Sequence, residues 1–268
     1  MEENRLITVF SNGSAISKKT ENILRQKLEK SGFVVTSQFS PQAELIVCVG
    51  GDGSFLNALR EYDFPDIPFV GVNTGHLGFF QELHPDQLDE FIFKYKKNEY
   101  EVQDLKTVQA SIYVGDQTCI KTGLNEIVIK GARSQMIHLN MSIGESFIER
   151  FSGDGILVAT SAGSTAYNYA LGGSIVDPRL NLLQITPISP MNTTAYRSFT
   201  SSVLLPSGLQ VTIYPEQDDD HGVLVVTDGA EQRFTHIDKV CVDVGPKIVR
   251  LLRLDHYDFW TKVKSKFL

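Results

Sequence analysis

The chain has 268 residues, of which 42% are hydrophobic and 21% charged, enough apolar content for one large core or two modest ones. Its formal charge of −7 offers no general attraction to nucleic acid or to an anionic membrane. An anionic ligand must therefore find backbone donors, a few basic side chains or a divalent cation.

In chain order, RLITVF reads as a strand. Ile16, Thr20, Ile23, Leu24 and Leu28 then recur on one helical face, and Gly32 stops that helix. FVVT and ELIVCV are further short strands, followed by the glycine cluster Gly50–Gly53 and a helix carrying Phe55, Leu56, Leu59 and Tyr62. IPFVGV is another buried strand, and Pro85 opens a helix with Leu88, Phe91, Ile92 and Tyr95 on one side. Strands alternating with helices predict an open, mainly parallel α/β sheet whose ligand loops lie beyond the strands' carboxyl ends.

From about Tyr100 the rhythm changes. QASIYVGDQTCIKTG reads as paired strands around a GDQ turn, and HLNMSI alternates with Leu139, Met141 and Ile143 on one face. Beyond Asn181, LLQIT, SSVLLP, LQVTIYP, GVLVVTDGAEQRF and KVCVDV are strand-like, with one short helix expected near Tyr167. The predicted organisation is an α/β N-terminal domain over residues 1–99 and a mostly-β C-terminal domain over residues 100–254. The amphipathic segment over residues 255–268 is expected to pack back on the first domain. No apolar run approaches the ~20 residues that span a bilayer, and MEENRLITVF lacks the basic and apolar stretches of a signal peptide. Cys48, Cys119 and Cys241 show neither metal-ligand nor CxxC spacing and read as reduced core thiols, so the cytoplasm is the expected compartment.

Three stretches carry chemistry. In IVCVGGDGSFLNALR a strand, a glycine loop and an opening helix would offer N–H groups to a phosphate, yet Asp52 stands in the middle. Gly51 and Gly53 begin a dinucleotide fingerprint, but Leu56 occupies the place of its third glycine, and no P-loop lysine is present. A turn using glycine only for its geometry is the plain alternative. An acid among backbone donors argues instead for a proton or a cation.

FSGDGILVATSAGSTAYNYALGG, Phe151–Gly173, repeats the logic with Asp154 between glycines and a hydroxyl-rich loop before a helix; a capped helix start is its plain alternative. Asn125–Glu126 interrupts an apolar strand, and adjacent strand residues face opposite sides. An edge strand or bulge would explain the pair. So would an amide that reads a base beside a carboxylate that bonds sugar hydroxyls. His76 and His84 read as structural, the acidic run Tyr214–Gly222 as a solvated loop, and Asp228–Gly229 as a hairpin turn outside the candidate site.

Together these motifs resemble the NAD kinase family: GGDG at Gly50–Gly53, NTGHLGF at Asn73–Phe79, NE at Asn125–Glu126, GDG at Gly153–Gly155, GSTAY at Gly163–Tyr167 and DG at Asp228–Gly229. GGDG is shared with diacylglycerol and sphingosine kinases and phosphofructokinases, whereas NTGHLGF, NE and GSTAY in combination are far more specific. The resemblance implies phosphoryl transfer from ATP, another nucleotide or polyphosphate, with Mg²⁺ or another divalent cation on the donor, to the 2′-hydroxyl of the adenosine ribose of NAD.

Carried over, Asp52 is the acid/base residue and Gly53 meets the ligand through its backbone. Asn125 and Glu126 hold the adenine and ribose end. Asp154 binds the nicotinamide end, Thr165, Ala166, Tyr167 and Ala170 surround the adenosine, and Ser189 lies near the nicotinamide. The resemblance also implies a homo-oligomer, dimer or tetramer, in which neighbouring subunits help build the site. Two departures stand out. Thr160–Gly163 reads Thr-Ser-Ala-Gly where the family commonly has Thr-Pro-Thr/Ser-Gly, leaving the loop less preset, and Ser152 replaces an arginine found in some relatives. A lipid kinase of the GGDG superfamily and a catalytically silent dinucleotide-binding homologue are the competing readings.

Overall fold

A computed structural model describes residues 5–76, 78–194, 197–216, 222–254 and 257–268. The chain divides into two compact units, Met1–Leu105 together with Ile248–Leu268, and Lys106–Lys247. The first is an α/β domain with a mostly parallel sheet, and the second is β-rich.

The first unit runs β1 (Leu6–Ser11), α1 (Ala15–Lys30), β2 (Val34–Thr36), β3 (Leu45–Gly50), α2 (Asp52–Glu61), β4 (Phe69–Asn73), β5 (Gln81–Leu83) and α3 (Leu88–Lys96). Strands pair in the order β2, β1, β3, β4, β5, all parallel. Every residue of β3 is buried because both faces of a parallel sheet are covered, which is why its sequence is apolar throughout. Leu45, Val47 and Val49 pack with Leu24 and Leu28 of α1 and Phe91 and Tyr95 of α3. On the other face Phe55 of α2 meets Phe69 edge-on and stacks on Phe80. The stripe of α1 that is buried is Ser17, Thr20, Leu24 and Leu28; Ile16 and Ile23, expected on that face, are exposed. Ser17 wins the inner position because its hydroxyl bonds Thr74 at 2.7 Å.

From β6 (Glu101–Val114) and β7 (Gln117–Gly123) the chain is almost entirely strand. There follow β8 (Glu126–Gly131), β9 (Ile137–Ile143), β10 (Ser146–Gly153), β11 (Gly155–Thr160), the short α4 (Tyr167–Ala170), β12 (Leu182–Ile188), β13 (Val203–Pro206), β14 (Val211–Pro215), β15 (Val223–Thr227), β16 (Ala230–Phe234), β17 (Lys239–Arg253) and α5 (Phe259–Phe267). In the second unit one sheet is β13–β12–β11–β8–β15–β16, wholly antiparallel. The other includes β10–β9–β14–β17. Ile127, Ile129, Ile156 and Val158 of the first sheet share one core with Leu139, Met141, Val211 and Val240 of the second. The alternate residues Val128, Leu157 and Ala159 form a smaller cluster on the opposite face, with Leu171 packed against it.

The unit boundary lies inside β6 and β17, so residues 248–254, assigned from the sequence to the second domain, pack with the first. Leu252 joins the core under α1, and Arg253 forms a buried ion pair with Glu82 at 3.0 Å. Strand pattern marks where a strand ends, but not which core each half of a long strand joins. All three cysteines are free thiols. Among the described residues no helix is long and apolar enough to cross a membrane.

Candidate active site

β3 delivers the chain to Gly50 and Gly51, and α2 opens at Asp52 with Gly51 as its N-cap. A Cβ at Gly50 would fall 2.2 Å from Ser54 Oγ, so the tight approach of α2 to its strand requires glycine. The Asp52 carboxylate reaches away from its own helix. Oδ2 accepts the Phe79 N–H at 2.8 Å and Oδ1 accepts the Phe80 N–H at 3.0 Å. A Cβ at Gly78 would lie 2.2 Å from Oδ1. GGDG and the described part of NTGHLGF are therefore one device: the second motif grips the carboxylate of the first. Leu77 of that motif lies outside the described residues. Asp52 keeps 26% of its side chain exposed, Gly53 is exposed, and the space where a Gly53 Cβ would stand is open.

Glu126 opens β8 and Asn125 immediately precedes it; the strand is flanked by β11 and β15 in unbroken register and is neither an edge nor a bulge. Both side chains are buried, and among the described residues Asn125 Oδ1 and Glu126 Oε2 have no partner. Thr227 Oγ1, on the strand beside β8, has none there either. Buried polar atoms are nearly always paired, so the unpaired oxygens of the NE pair mark a place where a ligand could supply the partners. Burial, helped by the nearby charge of Asp228, pushes the Glu126 carboxyl up to about 8. At neutral pH it mostly holds its proton and is able to donate a hydrogen bond.

Asp228 bears out the turn reading and adds a contact to it. It does sit in the two-residue turn between β15 and β16, with φ of +46°, followed by Gly229 at +81°. Its carboxylate, however, turns back and accepts the N–H groups of Leu124 at 2.7 Å, Asn125 at 2.8 Å and Glu126 at 3.1 Å. Asp228 thus fixes the backbone of the NE pair. The DG turn signal could not reveal this, because the contact spans about a hundred residues.

The GSTAY loop is pressed onto the same place. Thr160 N–H donates to Asn125 O at 2.9 Å, its hydroxyl to Leu124 O at 2.7 Å, and a Cβ at Gly163 would lie 2.0 Å from Asn125 O. Thr165 is buried, Ala166 half-buried, and Tyr167 and Ala170 are exposed. The end of this loop is tied down by a buried network: Asn168 donates to Ser164 O at 3.2 Å and accepts the Thr186 hydroxyl at 2.6 Å, while Ser164 Oγ accepts the Val176 N–H at 3.0 Å.

Asp154 and Ser189 form a separate pair. Gly153 and Gly155 are required by close packing, since a Cβ would lie 2.7 Å from Ser189 O and 2.4 Å from Ile129 O respectively. Asp154 is exposed between them, its N–H bonded to Ile188 O at 2.9 Å, and exposed Ser189 follows with φ of +47°. Glu126 pairs with Ala159 near one end of β11, whereas Gly155 at the other end pairs with Lys130. The six residues of β11 put roughly 17 Å between the two groups. Ser152, standing where some relatives have arginine, is fully buried with its hydroxyl 2.8 Å from His138 Nδ1. Of the acidic run Tyr214–Gly222, residues 217–221 lie outside the described residues.

Comparison with known proteins gives a consistent result. Residues 10–100 match the ATP-NAD kinase N-terminal domain and residues 124–254 the ATP-NAD kinase C-terminal domain. The chain is 35% identical to an NAD kinase of Finegoldia magna, across 99% of this chain and 98% of that one. It is 33% identical to an NAD kinase of Streptococcus gordonii, across 99% and 96%. Two solved structures share its fold. A yeast NADH kinase complexed with NADH aligns with a TM-score of 0.86 at 18% identity, covering 98% of this chain and 87% of that one. An NAD kinase from Archaeoglobus fulgidus in complex with ATP aligns at 0.77 and 23% identity, covering 97% and 99%.

Proposed function

The chain belongs to the NAD kinase family, and on that premise we propose that it moves the terminal phosphoryl group of ATP or another donor onto the 2′-hydroxyl of the adenosine ribose of NAD, producing NADP. A ribose hydroxyl is a poor nucleophile. Asp52 orients it and takes its proton as the new O–P bond forms and the bond to the donor's leaving phosphate breaks. One observation carries this role: the carboxylate is held by two backbone N–H groups on one side yet remains partly open to a ligand. An acid belongs in this glycine loop because the loop serves an acceptor hydroxyl as well as a phosphate.

Asn125 and Glu126 recognise the adenine and ribose end, which supplies the partners their orphaned oxygens lack. Thr165, Ala166, Tyr167 and Ala170 surround the adenosine. Asp154 and Ser189 serve the nicotinamide end. The family likeness supports a dimer or tetramer in which neighbouring copies help build the site. Among the described residues no three His, Cys, Asp or Glu side chains cluster as metal ligands. The divalent cation of this proposal is Mg²⁺ carried on the donor phosphates, where it neutralises charge. Free thiols and a family of nucleotide-using enzymes support the cytoplasm as the working compartment. The lipid-kinase alternative is set aside, since both family matches are to NAD kinase domains.

The test is a coupled assay of NADP formation, offering NAD or NADH with ATP, GTP or polyphosphate, with and without Mg²⁺. NADP formation that depends on Asp52 is the expected result. NAD binding by calorimetry with no NADP from any donor identifies a silent homologue and overturns the proposal.

A further inference from the structure

α5 is absent from every motif that points to the reaction, yet its inner face is built around the Asp52 loop. Asp258 caps the helix through the N–H groups of Trp260 and Thr261. Phe259, Lys262, Val263, Lys266 and Phe267 then follow one another at helical spacing on one side. Phe259 and Phe267 pack against the Phe79 ring, with centroids at 5.8 and 6.0 Å. Phe79 is the residue whose N–H holds Asp52 Oδ2. Lys262 latches the helix down, donating to Gln81 O and lying 4.0 Å from Glu82.

Lys266 is placed differently from Lys262. Its ammonium lies 3.9 Å from Asp52 Oδ2 and 4.8 Å from the centroid of the Phe79 ring, with 34% of the side chain exposed. Resting on the proposal that Asp52 activates the acceptor hydroxyl, the geometry points to Lys266 as a positioning residue. It acts through Asp52 by holding the carboxylate aimed while a multiply charged phosphate approaches. The need for such a partner follows from charge: two anions must meet in a chain that is itself negative, and the two N–H groups on Asp52 carry no net charge. A lysine suits the task, since a point charge on a flexible stem follows small movements of the carboxylate.

The charged groups in this neighbourhood are Lys266 and Lys262 from α5, Glu82 from β5 and Arg253 from β17. Burial and Arg253 pull the Lys262 ammonium down to about 8, whereas the charges of Glu82 and Asp52 oppose the shift. Lys262 is thus committed to holding the helix, and Lys266 is the cation that pairs with Asp52.

Lys266→Met and Lys266→Arg test this in the full-length enzyme, with Asp52→Asn measured alongside. Lys266→Met should lower kcat about fivefold, the scale of a part-exposed ion pair, and leave KM for NAD within about twofold. Lys266→Arg should restore most of the rate. Three results overturn the inference: wild-type kcat in Lys266→Met, equal losses in both variants together with a lowered Tm, or a change confined to KM for the phosphate donor. Asp52→Asn separates the levels. If it keeps full turnover, the underlying assignment of Asp52 fails; if it is inactive while Lys266→Met is unaffected, only the role of Lys266 fails.

Discussion

Two carboxyl groups at motif positions, Asp52 and Glu126, are prepared in opposite ways. Asp52 has its partners in place: two backbone N–H groups and a lysine ammonium 3.9 Å away. Glu126 is buried with one oxygen unpaired, and its neighbour Asn125 is in the same condition. A carboxylate that must take a proton at a fixed point benefits from being aimed in advance. A pair that must recognise a ligand keeps its hydrogen-bonding capacity open, and what is prepared there is the backbone, gripped by Asp228. Preorganisation therefore falls on the side chain in one region and on the main chain in the other.

The sharpest way to break this contrast is Asp52→Asn. Turnover should fall by roughly 10²–10⁴-fold with NAD affinity little altered, measured by steady-state kinetics and calorimetry. Full activity in the purified variant would refute the contrast at its root. Gly78→Ala should come next, with kcat down about 10- to 100-fold, since its Cβ would displace the Asp52 oxygen 2.2 Å away. If that variant turns over normally, the grip of the Gly78–Phe80 stretch on Asp52 has no kinetic weight.

Asp228→Ala should strip three N–H groups of their acceptor and destabilise the fold by about 2–4 kcal/mol, seen as a Tm lowered by roughly 5–10 °C. A Tm within about a degree of wild type removes Asp228 from its supporting role.

The last comparison is with pH. The Glu126 carboxyl is raised to about 8 in the folded chain from an ordinary 4.5, so the native state holds a proton that the unfolded state has released between those values. Its contribution to stability is full below about pH 4.5 and is lost as pH rises through about 8. Glu126→Gln, which carries no such proton, should flatten this part of the stability–pH curve, by an amount on the order of 1–3 kcal/mol across the window. Parallel curves for the two proteins would show that Glu126 does not titrate as stated.

Much of the architecture was legible from pattern alone. The apolar run Leu45–Gly50, the stripe Leu88, Phe91, Ile92 and Tyr95, and the alternation of Leu139 and Met141 all report burial that local spacing dictates. Ile16 and Ile23 misled because two more apolar residues on a helix face do not say how wide the contact is, and the hydroxyl bond of Ser17 to Thr74 decided it. The motif residues were readable because their chemistry is unusual where it stands. Asp228, Asn168 and Lys266 were not, because a turn aspartate, a helix asparagine and a terminal lysine are ordinary residues until their partners are known.

What the sequence determined by itself, then, was where strands and helices form, which loops are glycine-dependent, and which family of reactions the motif set belongs to. Tertiary structure alone decided which residues hold the motif groups in place: Phe79 and Phe80 on Asp52, Asp228 on the NE backbone, Asn168 on the GSTAY loop, and α5 beside the glycine loop. The reason is physical. Periodicity and turn preference act over a few neighbours, whereas a hydrogen bond or ion pair depends on distances of about 3–4 Å between groups that only folding brings together.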